Sequence, residues 1–384
     1  MSSVPTSIET ATPPGAELHV AQVSFYQDPQ GRAPEDLLIA WPTMVDVAEA
    51  ACGAGARVSV IQACSTTQTL TRNGVSYYFV SAGRGAPLAR LLQSLRPSVL
   101  HVHGLGAPQD VLALAKLAPT VPILVQDHAS APPRLWRRGP WRAGMARAAA
   151  VSFSSRRQAE PFEQARLFDP ATRIFEIPEA TSRFSPGDQT EARRLTGLHG
   201  NPCLLWVGHL DANKDPLTVL AGVSKAVERF PQLELWCAYL AAPLLAEVEK
   251  TLREDERLRT RVHLLGRTPH ERVQQLMHAA DLFVLGSHRE SCGFALLEAL
   301  ASGVAPIVTD IPSFRSLTGG GAVGRLWTCG RPASLASALE SLWSSPPAHL
   351  RRTVRAHFDR ELSPSALGRK LVRAYRQLAG SGGE

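Results

Sequence analysis

Two series of strand-length apolar runs alternate with helical patterns along this chain, and a polar stretch rich in Pro and Gly separates them. Such alternation is typical of repeated βα units that build a parallel sheet. The candidate strands of the first series are Leu18–Phe25, Arg57–Gln62, Val75–Val80, Ser98–Val102, Ile123–Gln126, Val151–Phe153 and Ile174–Ile177. Those of the second series are Cys203–Val207, Leu233–Ala238, Val262–Leu265, Leu282–Leu285 and Val304–Val308. The sequence therefore predicts an α/β protein with two domains of similar size.

The boundaries follow from changes in composition. Residues 1–17 are polar and lack the apolar core of a signal peptide or membrane anchor, so they are expected to be a disordered tail. The first domain is placed at 18–185, a linker at 186–201 and the second domain at 202–360. Residues 361–384 hold a final amphipathic helix with an apolar side, which is predicted to fold back on the first domain.

Composition excludes several classes of protein. Hydrophobic residues make up 44% of the 384 and charged residues 20%, values typical of a globular chain rather than a disordered or fibrous one. The six cysteines stand singly with no C-x-x-C pair, which argues against a zinc ribbon, a redox motif or a disulfide scaffold. No window approaches the roughly 18–20 apolar residues of a membrane span. We therefore expect a cytoplasmic protein, and its net charge of +7 favours acidic partners.

Several catalytic signatures are missing from the sequence. It holds no phosphate loop of the G-x-x-x-x-G-K-[ST] type, no G-x-S-x-G elbow and no H-E-x-x-H pair, which argues against NTPases, esterases and metalloproteases. Gly319–Gly324 is glycine-rich but does not join a clear strand to a helix. That segment is interpreted as a turn rather than a dinucleotide site.

Two segments that follow strands have the composition of an anion site. Ser287–Gly303 opens a helix near Gly293, where free backbone N–H groups and the positive end of the helix dipole favour a phosphate. Glu298 lies on a nearly all-apolar helix and could accept hydrogen bonds from a vicinal diol such as a ribose, or be a solvated or Arg-paired carboxylate. Leu204–Pro216 places Lys214 before a helix, where it could meet a diphosphate or simply be a surface lysine.

Together these segments resemble the nucleotide-binding domain of family 4 retaining glycosyltransferases, which have the GT-B fold. The matching pieces are VGHLDANKDP, LLGRTPHERVQQLMHAADLFVLGS and the Glu-x7-Glu segment Glu290–Glu298 with its trailing ALASGVAPIVTDI, and they cover roughly 203–312. The resemblance implies two Rossmann-like doubly wound domains facing across a cleft.

The resemblance also implies roles for individual residues. Glu298 would hold the donor ribose, Glu290 would contact hydroxyls of the transferred sugar, and Lys214 would bind the donor diphosphate. The family has an Arg five positions before that Lys, where this chain has His209, a residue that is not permanently charged. Further donor-binding positions implied by the match are Arg267, Cys292, Gly293 and Phe294. The catalytic residues would be His128, Glu290 and Lys214.

The first half resembles the family at fewer positions. PSVLHVHG and ILVQDHAS look like its strand-end His segments, and His128 matches the His that lies against the donor sugar, although a lone strand-end His can also be structural. The usual glycine pair after the first strand is replaced by a long insertion, Phe25–Thr43, and the familiar I-P-N-G is replaced by Ile177-Pro178-Glu179-Ala180.

From Arg134 to Arg157 there are seven arginines and no acidic residue, interleaved with Trp136 and Trp141. This pattern fits a solvated surface, peripheral contact with an anionic membrane, an acidic acceptor, or unspecific binding of nucleic acid.

The sequence thus predicts an enzyme that moves a sugar from a nucleotide-sugar donor to a hydroxyl acceptor, which could be a glycan, a lipid or a small molecule. Retention at the anomeric carbon is implied by the family only. Because no Asp-x-Asp clamp stands near the expected site, no metal and no separate cofactor is expected. Two alternatives remain: a non-catalytic sugar-nucleotide-binding protein, and a nucleic-acid-binding protein that uses the Arg134–Arg157 patch.

Overall fold

The computed structural model describes residues 17–81, 85–344 and 347–380. The expected disordered tail therefore lies outside the described residues except for its last position. The chain divides into two compact units, one formed by Met1–Glu179 with Leu367–Glu384 and the other by Ala180–Ala366. The α/β class expected from the sequence is present in both units.

The first unit holds eight strands over its described residues. They are β1 (His19–Ser24), β2 (Arg57–Ala63), β3 (Gln68–Arg72), β4 (Val75–Val80), β5 (Val99–His103), β6 (Ile123–Gln126), β7 (Ala150–Phe153) and β8 (Arg173–Glu176). Its helices before the chain enters the second unit are α1 (Pro34–Ala40), α2 (Pro42–Gly53), α3 (Ala86–Leu95), α4 (Pro108–Leu117), α5 (Arg138–Met145) and α6 (Arg156–Gln164). A single 3-10 turn, Leu135–Arg137, precedes α5.

The strand order is β3-β4-β2-β1-β5-β6-β7-β8. Strand β3 pairs antiparallel with β4 in a hairpin, and the other described pairs of neighbouring strands are parallel. From β1 the chain first adds strands on one side and then, from β5, on the other. Such a reversal opens a crevice at the carboxyl ends of the two central strands, and ligands of open α/β sheets bind there. The hairpin strand β3 was missing from the sequence prediction because its polar residues show no strand-like apolar run.

The second unit holds six strands over its described residues. They are β9 (Cys203–Val207), β10 (Glu234–Ala238), β11 (Val262–Gly266), β12 (Leu282–Leu285), β13 (Ala305–Thr309) and β14 (Arg325–Trp327). The helices are α7 (Gln189–Thr196), α8 (Pro216–Val227), α9 (Leu245–Glu254), α10 (Glu256–Arg259), α11 (His270–Ala279), α12 (Phe294–Ala301), α13 (Pro312–Leu317), α14 (Pro332–Trp343) and α15 (Pro347–Glu361). The last helix of the chain is α16 (Pro364–Ala379).

The second sheet has the order β11-β10-β9-β12-β13-β14, and the described pairs are parallel. This is the doubly wound 3-2-1-4-5-6 arrangement, with its reversal between β9 and β12. The short edge strand β14 was not anticipated from the sequence. The two segments with the composition of an anion site follow β9 and β12, so the fold places them side by side.

The ends of the second unit differ from the boundaries drawn on the sequence. The segment expected to be a linker, 186–201, contains α7, whose Arg193 binds Asp281 at 2.8 Å within the second unit. Asp188 caps this helix by accepting the Glu191 backbone N–H at 2.7 Å. Polar composition suggested a linker, but here the polar side chains are used for capping and ion pairing.

The final helix contributes apolar residues to the core of the first unit. Leu367, Leu371 and Tyr375 are fully buried there together with residues of β1 and β2. At Gly368 a Cβ atom would lie 2.1 Å from the Ala50 carbonyl oxygen, so only glycine permits this approach to α2. The first unit is therefore built from both ends of the chain.

None of the helices in the described ranges combines the length and the apolar composition that a bilayer crossing requires.

Candidate functional site

The loops after β9 and β12 are joined by hydrogen bonds centred on Asn213. The His288 backbone N–H donates to the Asn213 carbonyl at 2.7 Å. The Asn213 side chain donates to the Arg289 carbonyl at 3.0 Å and accepts the Arg289 backbone N–H at 3.1 Å. Because both loops leave adjacent parallel strands, these bonds fix one loop against the other at the reversal of the sheet.

Lys214 and Glu290 meet across these two loops as a salt bridge between the lysine Nζ and a carboxylate oxygen. Their side chains are only 18% and 14% exposed, so each charge would be costly there without its partner. Asp215, the next residue, has φ of +53° and caps α8, which fixes the direction in which the chain leaves the loop. At Gly286 a Cβ atom would lie 2.8 Å from the Lys214 carbonyl oxygen, so the two loops approach closely only because this residue is glycine.

The start of α12 follows the β12 loop at the same point, where the strand order reverses between β9 and β12. Gly293 precedes it with φ of +91°, and a Cβ there would lie 2.6 Å from the Phe314 ring. The first N–H groups of the helix lack partners within the helix, as in any α-helix, and the N-cap residue Gly293 has no side chain to cap them. Cys292 is fully buried, whereas Phe294 is 48% exposed. This geometry suits an anion, which the helix dipole favours.

Glu298 binds a neighbour from another helix. His270, the first residue of α11, lies with its Nε2 2.6 Å from a Glu298 carboxylate oxygen, and its ring packs against Phe184 with centroids 4.8 Å apart. The hydrogen bond with Glu298, aided by the charges of Glu298 and Glu271, raises the pKa of His270 above its ordinary value of 6.5. Glu298 thus has an imidazole partner that a ligand could replace.

The remaining residues predicted to bind the donor, His209 and Arg267, lie nearer to solvent. His209 is exposed, and its Nδ1 accepts the Ala241 backbone N–H at 3.2 Å, so in this arrangement its proton is on Nε2. Arg267 directly follows β11 and is exposed. Gly266 before it has φ of +68°, which turns the chain at this strand end.

In the first unit, His128 follows β6 and is paired with a buried carboxylate. Its Nδ1 contacts Glu179, whose side chain is 3% exposed. Ala129 has φ of +60°, an uncommon value for a residue with a Cβ, and Asp127 accepts the Ser130 backbone N–H at 2.9 Å. Burial raises the pKa of Asp127. The backbone around His128 is therefore held in a strained turn, as is common at functional sites.

A row of side chains continues inward from His128. The Nδ1 of His103 lies 3.1 Å from the Nε2 of His128, and the rings of His101 and His103 lie 4.6 Å apart. The Nδ1 of His101 lies 2.7 Å from the hydroxyl oxygen of Tyr375 on α16. Burial and the neighbouring His128 lower the pKa of His101 to about 3, and burial lowers that of His103 well below its ordinary range. Both inner imidazoles are therefore neutral near pH 7.

The same row borders a pocket of about 690 Å³ in the first unit. Its walls come from the ends of β1 and β5, from α2 and α4, and from the Phe25–Thr43 insertion, and include Phe25, Tyr26, Trp41, Met44, His103, Asp110 and His128. Tyr26 and Trp41 of the insertion pack with ring centroids 5.7 Å apart. The pocket lies at the reversal of the first sheet, where a ligand of this fold is expected.

Sequence reasoning missed three residues of these arrangements. Glu179 was noted only as a departure from a family motif, yet it is the carboxylate that orients His128. His103 and His270 were part of quoted segments without any assigned role. Strand-end positions gave a signal for His103, whereas the pairing of His270 with Glu298 depends on how two helices pack.

Comparison with known proteins fits this geometry. Residues 188–357, which carry Lys214, Glu290 and Glu298, match the family model described as glycosyl transferases group 1. The second unit is a group 1 glycosyltransferase domain. The resemblance to family 4 glycosyltransferases is confirmed, and with it the GT-B fold class.

Curated relatives match part of the chain. One is the GDP-mannose:cellobiosyl-diphosphopolyprenol alpha-mannosyltransferase of Xanthomonas oryzae pv. oryzae, 28% identical over 242 residues, or 59% of this chain and 60% of the relative. Another is the D-inositol 3-phosphate glycosyltransferase of Nocardia farcinica, 29% identical over 42% of this chain and 37% of the relative. The match spans at most about 60% of the length of these two relatives.

Solved structures extend the similarity in fold to most of the chain. Sucrose-phosphate synthase from Thermosynechococcus elongatus superimposes with a TM-score of 0.67 at 18% identity, covering 95% of this chain and 100% of that one. Anabaena HepE in complex with UDP and glucose gives a TM-score of 0.64 at 18% identity, covering 93% and 99%. At this identity the likeness concerns the fold.

The pairing of His270 with Glu298 in the group 1 domain predicts a measurable titration. We expect Glu298→Gln to lower the pKa of His270, because the charged acceptor that raises it is removed. NMR titration of the His270 imidazole, assigned with His270→Asn, measures this pKa. Glu271→Gln is the control and should have the smaller effect, since Glu271 contributes only through its charge.

The sign of the linkage follows from the raised pKa. The pair stabilises the folded state fully below the unfolded pKa of about 6.5, and the contribution is lost as pH rises through the higher folded-state pKa. An unchanged pKa in Glu298→Gln would show that the pair does not form in solution.

Proposed function

We propose that the protein is a retaining, metal-independent glycosyltransferase that takes a sugar from a nucleotide-sugar donor and passes it to a hydroxyl acceptor. One observation carries this proposal. Lys214, Glu290, the start of α12 and Glu298 lie around the point where the strand order of the group 1 domain reverses, between β9 and β12. The relatives are named as glycosyltransferases, one of them with GDP-mannose as donor, and HepE binds UDP; these similarities support a nucleotide-sugar donor.

Each donor group has a counterpart among these residues. Glu298 would accept hydrogen bonds from the ribose hydroxyls, which would replace His270 as its partner. Lys214 and the N–H groups at the start of α12 would bind the diphosphate, with His209 after β9 and Arg267 after β11 as further contacts. Glu290 would accept hydrogen bonds from hydroxyls of the transferred sugar while remaining beside Lys214.

The reaction moves negative charge onto the diphosphate. The acceptor oxygen forms a bond to the anomeric carbon, the bond from that carbon to the diphosphate oxygen breaks, and the acceptor proton passes to the departing diphosphate. Charge on the leaving group grows in the transition state, so a fixed cation there lowers the barrier more than it tightens substrate binding. The salt bridge with Glu290 holds Lys214 in place before the donor arrives.

The acceptor is assigned to the first unit. The pocket beside His128 combines aromatic walls with a few polar groups, an arrangement that suits a hydroxyl compound with an apolar or ring-shaped face. Glu179 orients His128 through Nδ1, so a sugar or acceptor hydroxyl would meet the ring at Nε2 in place of His103.

Substitution of Lys214 tests the catalytic proposal. We expect Lys214→Ala to lower kcat about 10²–10³-fold, the usual effect of losing one fixed stabilising group. Affinity for the intact nucleotide-sugar donor should fall less, because the diphosphate of the donor carries less negative charge than the diphosphate that departs. The donor nucleotide is first identified by thermal shift with UDP, GDP, ADP and dTDP, and turnover and calorimetry follow with sugar donors of that nucleotide.

Two controls accompany this test. Lys250→Ala removes a charge from the exposed face of α9 and should change neither quantity. Glu298→Ala should weaken nucleoside diphosphate binding by roughly 1.5–3 kcal/mol, the range for a hydrogen bond to a charged group.

Nucleotide binding without any transfer or donor hydrolysis in the wild type would favour the non-catalytic sugar-nucleotide-binding protein, the alternative that His209 in place of Arg suggests.

His209 gives a prediction particular to this chain. We expect His209→Arg to tighten nucleoside diphosphate binding above neutral pH, because Arg stays charged and can engage two phosphate oxygens. If a protonated His209 binds the diphosphate, wild-type affinity falls as pH rises. A change of one unit in the imidazole pKa on binding corresponds to about 1.4 kcal/mol of binding free energy, which calorimetry between about pH 6 and pH 8.5 resolves. The exposed His349→Arg serves as the control for added charge.

The competing interpretation is that the bond from Ala241 keeps His209 turned away from the diphosphate. No gain from His209→Arg, together with pH-independent binding in the wild type, would decide in its favour.

The Arg134–Arg157 patch supports a further proposal, peripheral contact with an anionic membrane. Leu135 and Trp136 are 74% and 72% exposed, and Arg134 lies 5.3 Å from the Trp136 ring. Trp141 is instead buried against Phe162, and Arg142 and Arg156 are engaged by protein groups. The surface available to lipid is therefore centred on the turn before α5.

Co-sedimentation with vesicles tests this contact. Binding to vesicles with anionic lipid should exceed binding to zwitterionic ones, and Trp136→Ser should reduce it, because an exposed aromatic ring enters the interface. Leu195→Ser, which removes an exposed apolar residue in the second unit, is the control. Equal binding to both vesicle types would contradict the proposal, and salt-sensitive nucleic-acid binding by the same residues would favour the nucleic-acid alternative.

A further inference from the structure

Three side chains from separate parts of the second unit meet at the amino-terminal edge of its sheet. They are His199, Glu234 and His263, each offering one ligand atom, and these atoms all lie within 4.8 Å of one another. None of the three belongs to the Lys214–Glu290 or Glu298–His270 pairs. Glu234 begins β10 and His263 stands near the start of β11, whereas Lys214 and Glu290 follow the carboxyl ends of β9 and β12.

The register of the sheet sets two of the three positions. Trp236 of β10 pairs with His263 of β11, and Glu234 lies two residues before Trp236, so these side chains share one face of the sheet. The Nε2 of His263 lies 2.8 Å from a Glu234 carboxylate oxygen. The Trp236 ring stacks on the His263 ring with centroids 3.8 Å apart, which holds the imidazole in this orientation.

The third residue, His199, is brought to Glu234 and His263 by a tight loop before β9. At Gly200, where φ is +128°, a Cβ atom would lie 2.8 Å from the Glu234 Cβ, so the chain before β9 passes directly over Glu234. The carbonyl of His199 accepts the Trp236 indole N–H at 3.0 Å. The Nδ1 of His199 lies 3.0 Å from the Gly197 carbonyl oxygen. Because a carbonyl only accepts, the proton is on Nδ1, and Nε2 presents a lone pair.

A backbone carbonyl that binds one imidazole nitrogen and leaves the other as a ligand is the usual outer partner of a metal-bound histidine. Two imidazoles and a carboxylate are a common ligand set for Zn²⁺, whereas Mg²⁺ and Ca²⁺ prefer oxygen ligands alone. We propose that His199, Glu234 and His263 form a Zn²⁺ site with a fourth position for water.

Small movements complete the geometry. Zinc–nitrogen distances near 2.0–2.1 Å place tetrahedral ligands about 3.3 Å apart. The contact between His263 and Glu234 is already that short, and Zn²⁺ takes the place of the proton between them. His199 is exposed and can swing inward. The metal then ties the loop before β9 to β10 and β11, and it stabilises the second unit without entering the proposed transfer reaction.

Titration of the full chain with Zn²⁺ tests the site. After treatment with a chelator, calorimetry should give one Zn²⁺ per chain and the Tm should rise with Zn²⁺. Mg²⁺ should not compete. Co²⁺ should give the visible absorption bands of a tetrahedral centre, and Cu²⁺ should quench the fluorescence of Trp236, which stacks on a ligand.

Variants locate the metal. His199→Gln changes an exposed side chain, so the protein should fold, and Zn²⁺ affinity should fall at least tenfold with loss of the Tm rise. Glu234→Gln and His263→Gln should act alike. Cys329→Ser is the control. The Cys329 thiol lies 3.3 Å from the Nδ1 of His288, and these two side chains could bind Zn²⁺ in competition with the proposed site. His349→Gln controls for surface histidines.

Retention of tight Zn²⁺ binding in His199→Gln, or its loss in Cys329→Ser alone, would overturn the assignment, as would a wild type that binds no Zn²⁺. Because no nucleotide or acceptor enters these measurements, their outcome is independent of whether the proposed glycosyl transfer is correct.

Discussion

The hydrogen bonds between Asn213 and the segment His288–Arg289 hold together the loops on which the second unit's site depends. Parallel strands β9 and β12 are neighbours, so their carboxyl ends open at the same place, and Asn213 fixes the two loops that leave them. Lys214 and Glu290 then become partners across the gap. The close approach of the loops requires glycine at position 286, where any side chain would meet the Lys214 carbonyl.

Ionisable groups in these sites are held in pairs. Lys214 is paired with Glu290, Glu298 with His270 and Glu179 with His128, and in each pair the carboxylate is mostly buried. A buried carboxylate without a partner would be protonated or would destabilise the fold. The pairs therefore give three mostly buried carboxyl groups a partner before a ligand arrives. A ligand that binds them competes with groups of the protein itself, which makes its affinity depend on those partners.

The first unit shows how departures from a family pattern can be compensated. The insertion Phe25–Thr43 replaces a short glycine turn, and its Tyr26 and Trp41 form walls of the pocket next to His128. Glu179 replaces the asparagine of the familiar motif and orients the same His128. Both changes therefore shape the surroundings of His128.

The sequence by itself determined the α/β class and the two series of strands, and it predicted the residues proposed to bind the donor, because apolar periodicity and a continuous motif are local properties of the chain. It gave no sign of strands β3 and β14, which are polar or short. Only the tertiary structure brought Glu179 to His128, His270 to Glu298 and His199 to Glu234 and His263. These partners are separated by 28 or more residues in sequence, and their meeting depends on strand order and helix packing, which no local pattern records.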